Sequence, residues 1–77
     1  MPGKTESEAK LTFVSFCIEE YKTIHSLSGA EAAARFEKYG VTDFLIEFFD
    51  TLHTLGTKAI LHEIDRFIEA RAGRRGK

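Results

Sequence analysis

The chain has 77 residues, with eleven Lys and Arg, twelve Asp and Glu, and a single cysteine. This length provides for one domain, and one cysteine excludes an internal disulfide framework. The polar first ten residues contain no apolar signal-peptide core, and no segment approaches the ~20 apolar residues of a membrane-spanning helix. We therefore expect a cytoplasmic protein without a membrane anchor.

Charge is distributed unevenly along the chain. Residues 1–70 contain seven Lys and Arg and twelve Asp and Glu, whereas residues 71–77 contain four Lys and Arg and no acidic residue. A body of −5 and a tail of +4 thus give the total of −1. An acidic body lacks the basic footprint that nucleic-acid phosphates require. We expect a flexible leader over 1–6, a single helical domain over 7–72 and a flexible basic tail over 73–77.

The first helix is predicted to begin near Ser7, and residues 11–27 follow a helical period. One broad side of the helical wheel is apolar and consists of Leu11, Phe13, Val14, Cys17, Ile18, Tyr21 and Ile24. Phe16 and Leu27 fall outside this stripe, toward the polar edge. Because Cys17 lies within the stripe, we interpret it as a buried and unreactive thiol rather than a nucleophile.

The second helix is predicted to begin in LSGAEAAARF, where Ser28 and Glu31 have the spacing of a capping box. Four alanines in this segment favour a helix. Gly40 is predicted to end the helix in the left-handed conformation.

The third helix is predicted to run from an N-cap at Thr42 to Leu55, and it is the most apolar stretch of the chain. Its inward stripe consists of Phe44, Leu45, Phe48, Leu52 and Leu55. Ile46, Phe49 and His53 form a flank beside that stripe. Apolar residues therefore cover more than half of the circumference, and we expect this helix to be central.

The fourth helix is predicted over about Lys58 to Ala72. One arc of it is apolar and consists of Ile60, Leu61, Ile64, Phe67 and Ile68. The residues AIL also permit a short extended start around 58–61. Four helices with short connections predict an all-α, compact four-helix domain.

The segment DTLHTLGT contains the main candidate for chemistry, His53. Its place in the last turn of a helix favours a hydrogen bond to a terminal carbonyl, with a ligand role as the alternative. A metal site would pair His53 with His62 across the turn, with Asp50 or Glu63 as third ligand. However, no zinc-binding spacing, phosphate-binding loop or catalytic triad pattern is present. We expect no enzyme, no cofactor and no metal.

The segment ARFEKYGVTDFLIEFF has the glycine, capping residue and second helix of a helix-turn-helix. A recognition helix exposes polar and basic side chains to the major groove. This helix instead carries Phe44 and Phe48 together with Asp43, Glu47 and Asp50. A regulatory nucleic-acid-binding protein is therefore the alternative hypothesis rather than the leading one, and a histidine-based metal or ligand-binding protein is the second alternative.

Several apolar residues exceed what one small core obviously needs. The candidate partner-binding residues are Phe16, Leu27, Ile46, Phe49 and His53, because surplus apolar surface marks association sites. The alternative is that these side chains fill a fourth side of the bundle. The partner would be another protein or a second copy of the chain in a homodimer.

Five elements of the sequence resemble a family of small bacterial proteins known only as a domain of unknown function. They are FCIEEY (16–21), SGAEA (28–32), FEKYGVTDFL (36–45), LHTxG (52–56) and EIDRFI (63–68), within a resemblance over roughly residues 11–71. Members of that family have no assigned activity and are often encoded beside an ADP-ribosyltransferase-like protein. The resemblance implies a partner-binding or antitoxin-like role, so the leading hypothesis is a non-enzymatic protein-interaction module.

Overall fold

The computed structural model describes residues 6–73, and every regular element within that range is a helix. The elements are α1 (Glu6–Ile24), α2 (Gly29–Tyr39), α3 (Val41–Glu47), α4 (Phe49–Leu52) and α5 (Thr57–Gly73). The predicted all-α domain with short connections is confirmed. Apart from residues 6 and 73, the predicted leader and basic tail lie outside the described residues. None of the described helices is long and apolar enough to cross a membrane.

Every helix contributes to one continuous core of buried apolar side chains. These are Val14, Cys17, Tyr21, Ala32, Phe36, Val41, Leu45, Leu52, Ile60, Leu61, Ile64 and Ile68. Although α3 has only seven residues, it contacts each of the other helices. Its Val41 and Leu45 are completely buried, and burial of such a side chain stabilises the fold by about 1.5–3 kcal/mol. The central position predicted for this segment is confirmed.

The long third helix predicted from Thr42 to Leu55 is wrong at its start. Gly40 has a φ of 74° and is both the C-cap of α2 and the N-cap of α3. Helix α3 therefore begins at Val41, and Thr42 lies within its first turn instead of capping it. The left-handed conformation predicted for Gly40 is confirmed.

The same helix is interrupted at Phe48, where φ is −104° and ψ is 23°. The single turn of α4 follows from Phe49 to Leu52. Leu45 and Leu52 are buried as expected, but Phe48 is 46% exposed and Leu55 is 37% exposed. The predicted inward stripe is therefore wrong at these two positions, since Phe48 lies at the interruption and Leu55 lies beyond the end of α4.

Helix α1 buries only the middle of its predicted apolar stripe. Val14, Cys17 and Tyr21 are buried, whereas Leu11 is 59% exposed and Ile24 is 61% exposed. Both exposed residues have the right rotational position on the helix but lie in its outer turns. The predicted stripe is thus too long, because its outer residues are exposed and only its middle residues enter the core.

Helix α1 ends at Ile24, and the following turn satisfies its last carbonyl groups. The Leu27 N–H donates to the Lys22 carbonyl at 2.9 Å and the Ser26 N–H donates to the Thr23 carbonyl at 3.3 Å. This pair of bonds defines a Schellman motif. Ser26 occupies its left-handed position with a φ of 55°, where a Cβ atom costs roughly 1–2 kcal/mol. The motif directs Leu27 inward, and Leu27 packs against the core.

The capping box predicted at the start of α2 is confirmed. The Glu31 N–H donates to Ser28 Oγ at 3.0 Å, and the Ser28 N–H donates to the Glu31 carboxylate at 2.8 Å. Helix α5 follows its predicted arc, with Phe67 half-buried and the other four members buried. The extended start considered for residues 58–61 is wrong, since the helix begins at Thr57.

Replacing Ser26 with glycine removes the strained Cβ atom. We expect Ser26→Gly to raise the free energy of unfolding by roughly 0.5–1 kcal/mol, after allowance for the greater entropy of the unfolded chain. The matched control is Ser15→Gly, an exposed position inside α1. That change should lower the free energy of unfolding by about 0.5 kcal/mol. Urea unfolding followed by circular dichroism measures both, and a change of the same sign would contradict the role of Ser26.

Candidate functional site

An open groove lies between the first half of α1 and the turn that joins α4 to α5. Its volume is about 490 Å³. The large side chains that line it are Phe13, Phe16, Phe49, His53, Leu55 and Ile60. Phe16 is 42% exposed and Leu55 is 37% exposed, so large apolar side chains from two separate parts of the chain meet water at one place. We refer to this feature as the α1–α4 groove.

The structure brings together three of the five predicted partner-binding residues. Phe16, Phe49 and His53 all line the α1–α4 groove. Leu27 and Ile46 do not line it, and both are half-buried and pack against the core. The two residues therefore contribute mainly to packing within the domain.

An aromatic stack forms one wall of the α1–α4 groove. The Phe49 ring meets the Phe13 ring edge-on at a centroid distance of 5.4 Å. On its other side the Phe49 ring stacks on the His53 imidazole, with centroids 4.4 Å apart and planes 8° from parallel. Such aromatic contacts contribute beyond the area that they bury. The wall is consequently well ordered by contacts within the chain.

His53 has the helix-end role that the sequence predicted. Its Nδ1 atom lies 2.7 Å from the carbonyl oxygen of Phe49, the first residue of the single turn of α4. A carbonyl oxygen only accepts, so Nδ1 carries the hydrogen and donates it. In the neutral ring Nε2 is then a hydrogen-bond acceptor, and Nε2 has no protein partner within residues 6–73. His53 thus adds a hydrogen-bond acceptor to a surface that is lined mainly by apolar side chains.

The sequence predicts different positions for two of the groove residues. It predicts Phe13 in the apolar stripe of the first helix and Leu55 on the inward side of the third helix. Leu55 lies in the turn between α4 and α5 rather than within a continuous helix. Gly56, which follows the predicted end of this helix, does not have the left-handed conformation typical of a residue that ends a helix.

The other histidines have different surroundings. His62 is exposed and borders a separate depression beside Ile24 and Asp65. His25 Nε2 lies 3.0 Å from Asp65 Oδ1 and thereby connects the end of α1 to α5. In the part of the chain that the structure describes, no three His, Cys, Asp or Glu residues are grouped to hold a metal ion.

Cys17 is buried in the core, as predicted. Only 1% of its surface is exposed. Burial, with a smaller contribution from the negative charge of Glu20, raises the pKa of the Cys17 thiol to about 12. The thiolate is the nucleophilic form of cysteine, so this side chain is unreactive at neutral pH.

Comparison with known proteins identifies one relationship. A family model described as a protein of unknown function (DUF3791) matches residues 12–71. All five sequence elements noted above lie within that match. No curated protein and no solved structure matches the chain.

Removal of the His53 side chain tests its role at the helix end. We expect His53→Ala to lower the free energy of unfolding by about 1 kcal/mol, because the hydrogen bond to the Phe49 carbonyl and the ring stack are both lost. His62→Ala is the matched control, since His62 is exposed within α5, and it should change the free energy of unfolding by less than about 0.5 kcal/mol. Equal effects of the two substitutions in urea unfolding would contradict the assigned role.

The Cys17 thiol should be protected in the folded protein. At pH 8 the shift of its pKa from 9.0 to about 12 makes the thiolate fraction roughly a thousandfold smaller than in an exposed cysteine. We expect a thiol-specific dye to label native protein more slowly by a similar factor than it labels protein in denaturant.

The same shift gives a pH dependence of stability. Well below pH 9 the thiol is neutral in both states and contributes no pH dependence. As the pH rises from 9 toward 12, the unfolded chain loses this proton before the folded chain does, so the free energy of unfolding decreases. Urea unfolding of wild-type protein and of Cys17→Ala across this range isolates the contribution of Cys17. A wild-type loss no greater than that of the variant would contradict it.

Proposed function

The chain belongs to the DUF3791 family of proteins of unknown function, and from this premise we propose that it is a non-enzymatic protein-interaction module. Its partner is a different protein that inserts the apolar face of an amphipathic helix into the α1–α4 groove. The family resemblance suggests the product of a neighbouring gene, in a toxin–antitoxin-like pair. A binding role is favoured over catalysis because the groove is lined mainly by aromatic and aliphatic side chains.

The observation that carries the proposal is the exposure of Phe16 and Leu55 in one groove. Single exposed apolar residues are common on protein surfaces, but several at one concave place mark an association site. Removing apolar surface from water contributes about 25 cal/mol per Å². A partner that covers both side chains removes their apolar surface from water, and this burial stabilises the complex.

The shape of the α1–α4 groove favours a helix as the occupant. On α1, Ala9, Phe13 and Phe16 line the groove and follow one another at intervals of one helical turn. An amphipathic helix presents side chains at the same intervals and binds grooves of this kind through them. The Nε2 atom of His53, which has no partner within residues 6–73, would accept one hydrogen bond from a donor on that helix and thereby fix the register of the helix.

Nucleic-acid binding has less support than protein binding. Helix α3 would be the recognition helix of the helix-turn-helix-like segment. Its Val41 and Leu45 are buried, its Asp43 and Glu47 are exposed, and it contains no Lys or Arg. An acidic helix repels the phosphate backbone that a recognition helix must approach.

Site-specific crosslinking in the native cells tests the proposed partner. A photoreactive phenylalanine analogue replaces Phe16 in one variant and Leu11 in another. Leu11 is a matched control because it is also an exposed apolar residue of α1 but does not line the groove. We expect one protein to be crosslinked from position 16 and not from position 11. Crosslinking from both positions to the same set of proteins would indicate non-specific adhesion.

The captured protein is then purified and titrated with variants of the chain. We expect Phe16→Ser to raise the Kd about tenfold or more, since a buried aromatic anchor typically contributes over 1 kcal/mol to binding. Leu11→Ser should leave the Kd unchanged within about twofold. Light scattering on the purified chain tests whether the partner is instead a second copy of the chain. A homodimer that Phe16→Ser dissociates would contradict the different-protein partner.

A further inference from the structure

A second apolar surface, which shares no residue with the α1–α4 groove, lies where α3 meets the end of α5. The rings of Phe44 and Phe67 stack with centroids 4.3 Å apart and planes 18° from parallel. The Phe48 ring lies 5.4 Å from that of Phe44 and is 46% exposed. We call these three phenylalanines the aromatic patch. It borders a depression of about 280 Å³.

One cation already occupies part of the aromatic patch. The Arg71 guanidinium carbon lies 4.4 Å from the centroid of the Phe67 ring. At this distance the negative face of the ring attracts the positive charge. The contact is an example, within the chain itself, of the ligand chemistry that these rings accept. The exposed Phe48 ring has no such cation in the part of the chain that the structure describes.

Two carboxylates border the same depression. Asp43 and Glu47 line it and lie four residues apart in α3. Like charges at this spacing repel each other, and Glu47 also lies at the end of α3 where the helix dipole disfavours negative charge. Within residues 6–73, neither carboxylate has an ion pair or a side-chain hydrogen bond. A cation brought to this place would relieve both unfavourable contacts.

We propose that the aromatic patch and these two carboxylates bind an arginine-bearing segment of a partner protein. A planar guanidinium group can stack on the Phe48 ring and donate paired hydrogen bonds to a carboxylate, which a lysine ammonium group cannot do. The acidic surface of the body would attract such a basic segment from a distance. This inference goes beyond the proposed function, since it concerns a different surface and a polar ligand, and loss of the groove interaction would leave it intact.

A peptide titration followed by nuclear magnetic resonance tests the inference on the full chain. The probe is a capped peptide of alternating glycine and arginine, and the comparison peptide has lysine in place of arginine. We expect saturable shifts of the Phe44 and Phe48 ring resonances with the arginine peptide. The lysine peptide should bind at least about threefold more weakly. Absence of saturable shifts, or equal binding of both peptides, would overturn the inference.

Two charge variants locate the binding. The double substitution Asp43→Asn with Glu47→Gln should raise the Kd of the arginine peptide at least about fivefold, because both carboxylates of the depression are replaced by neutral amides. Asp50→Asn with Glu69→Gln is the matched control, with the same change in net charge at exposed positions outside the depression. Its Kd should stay within about twofold of the wild-type value. If both variants bound the arginine peptide equally weakly, the effect would come from overall charge, and the proposed site would be overturned.

The basic end of the chain itself is the competing occupant, since it supplies Arg74, Arg75 and Lys77 shortly after Arg71. Its contribution is measured by replacing these three residues with glutamine in the full chain. Unchanged Phe48 resonances in the absence of peptide would support a partner as the occupant. Shifted resonances, together with tighter peptide binding, would identify the chain's own end as the occupant and overturn the partner proposal.

Discussion

The architecture depends on a connection of one residue. Gly40, with its φ of 74°, ends α2 and begins α3, and α3 contacts all the other described helices. Without a longer loop, the first residue of α3 enters the core, and Val41 and Leu45 are buried against the neighbouring helices. A short connection is important in so short a chain, because a small domain buries a low fraction of its surface. Each residue that is not needed in a loop can instead contribute to the packed helices.

The elements that could be predicted from the sequence are those with a local cause. The spacing of Ser28 and Glu31 predicts a capping box from four consecutive residues, and the arc of α5 follows from helical periodicity. The interruption at Phe48 has no such local signal, since neither glycine nor proline accompanies it. The exposure of Leu55 therefore could not be predicted, whereas Phe16, Phe49 and His53, which also line the α1–α4 groove, are predicted from their positions beside the apolar stripes.

The interruption also explains how a chain of this size presents two apolar surfaces. Phe48 and Phe49 are consecutive, yet Phe48 belongs to the aromatic patch and Phe49 to the α1–α4 groove. In an uninterrupted helix consecutive side chains point about 100° apart and would share one exposed flank. Phe48 lies at the interruption instead of within a continuous helix, and the apolar groove and the acid-bordered aromatic patch are distinct in position and in chemistry.

The short connections have a consequence for the rate of folding. Helices that follow one another closely, such as α1 and α2 or α2 and α3, also pack on one another. Contacts between segments close in sequence require little loop closure, and helical domains with such contacts fold within microseconds to milliseconds. Rapid folding limits the time for which a newly made chain leaves its phenylalanines accessible to other unfolded chains. The groove and the aromatic patch are thus presented to solvent on a domain that is already folded.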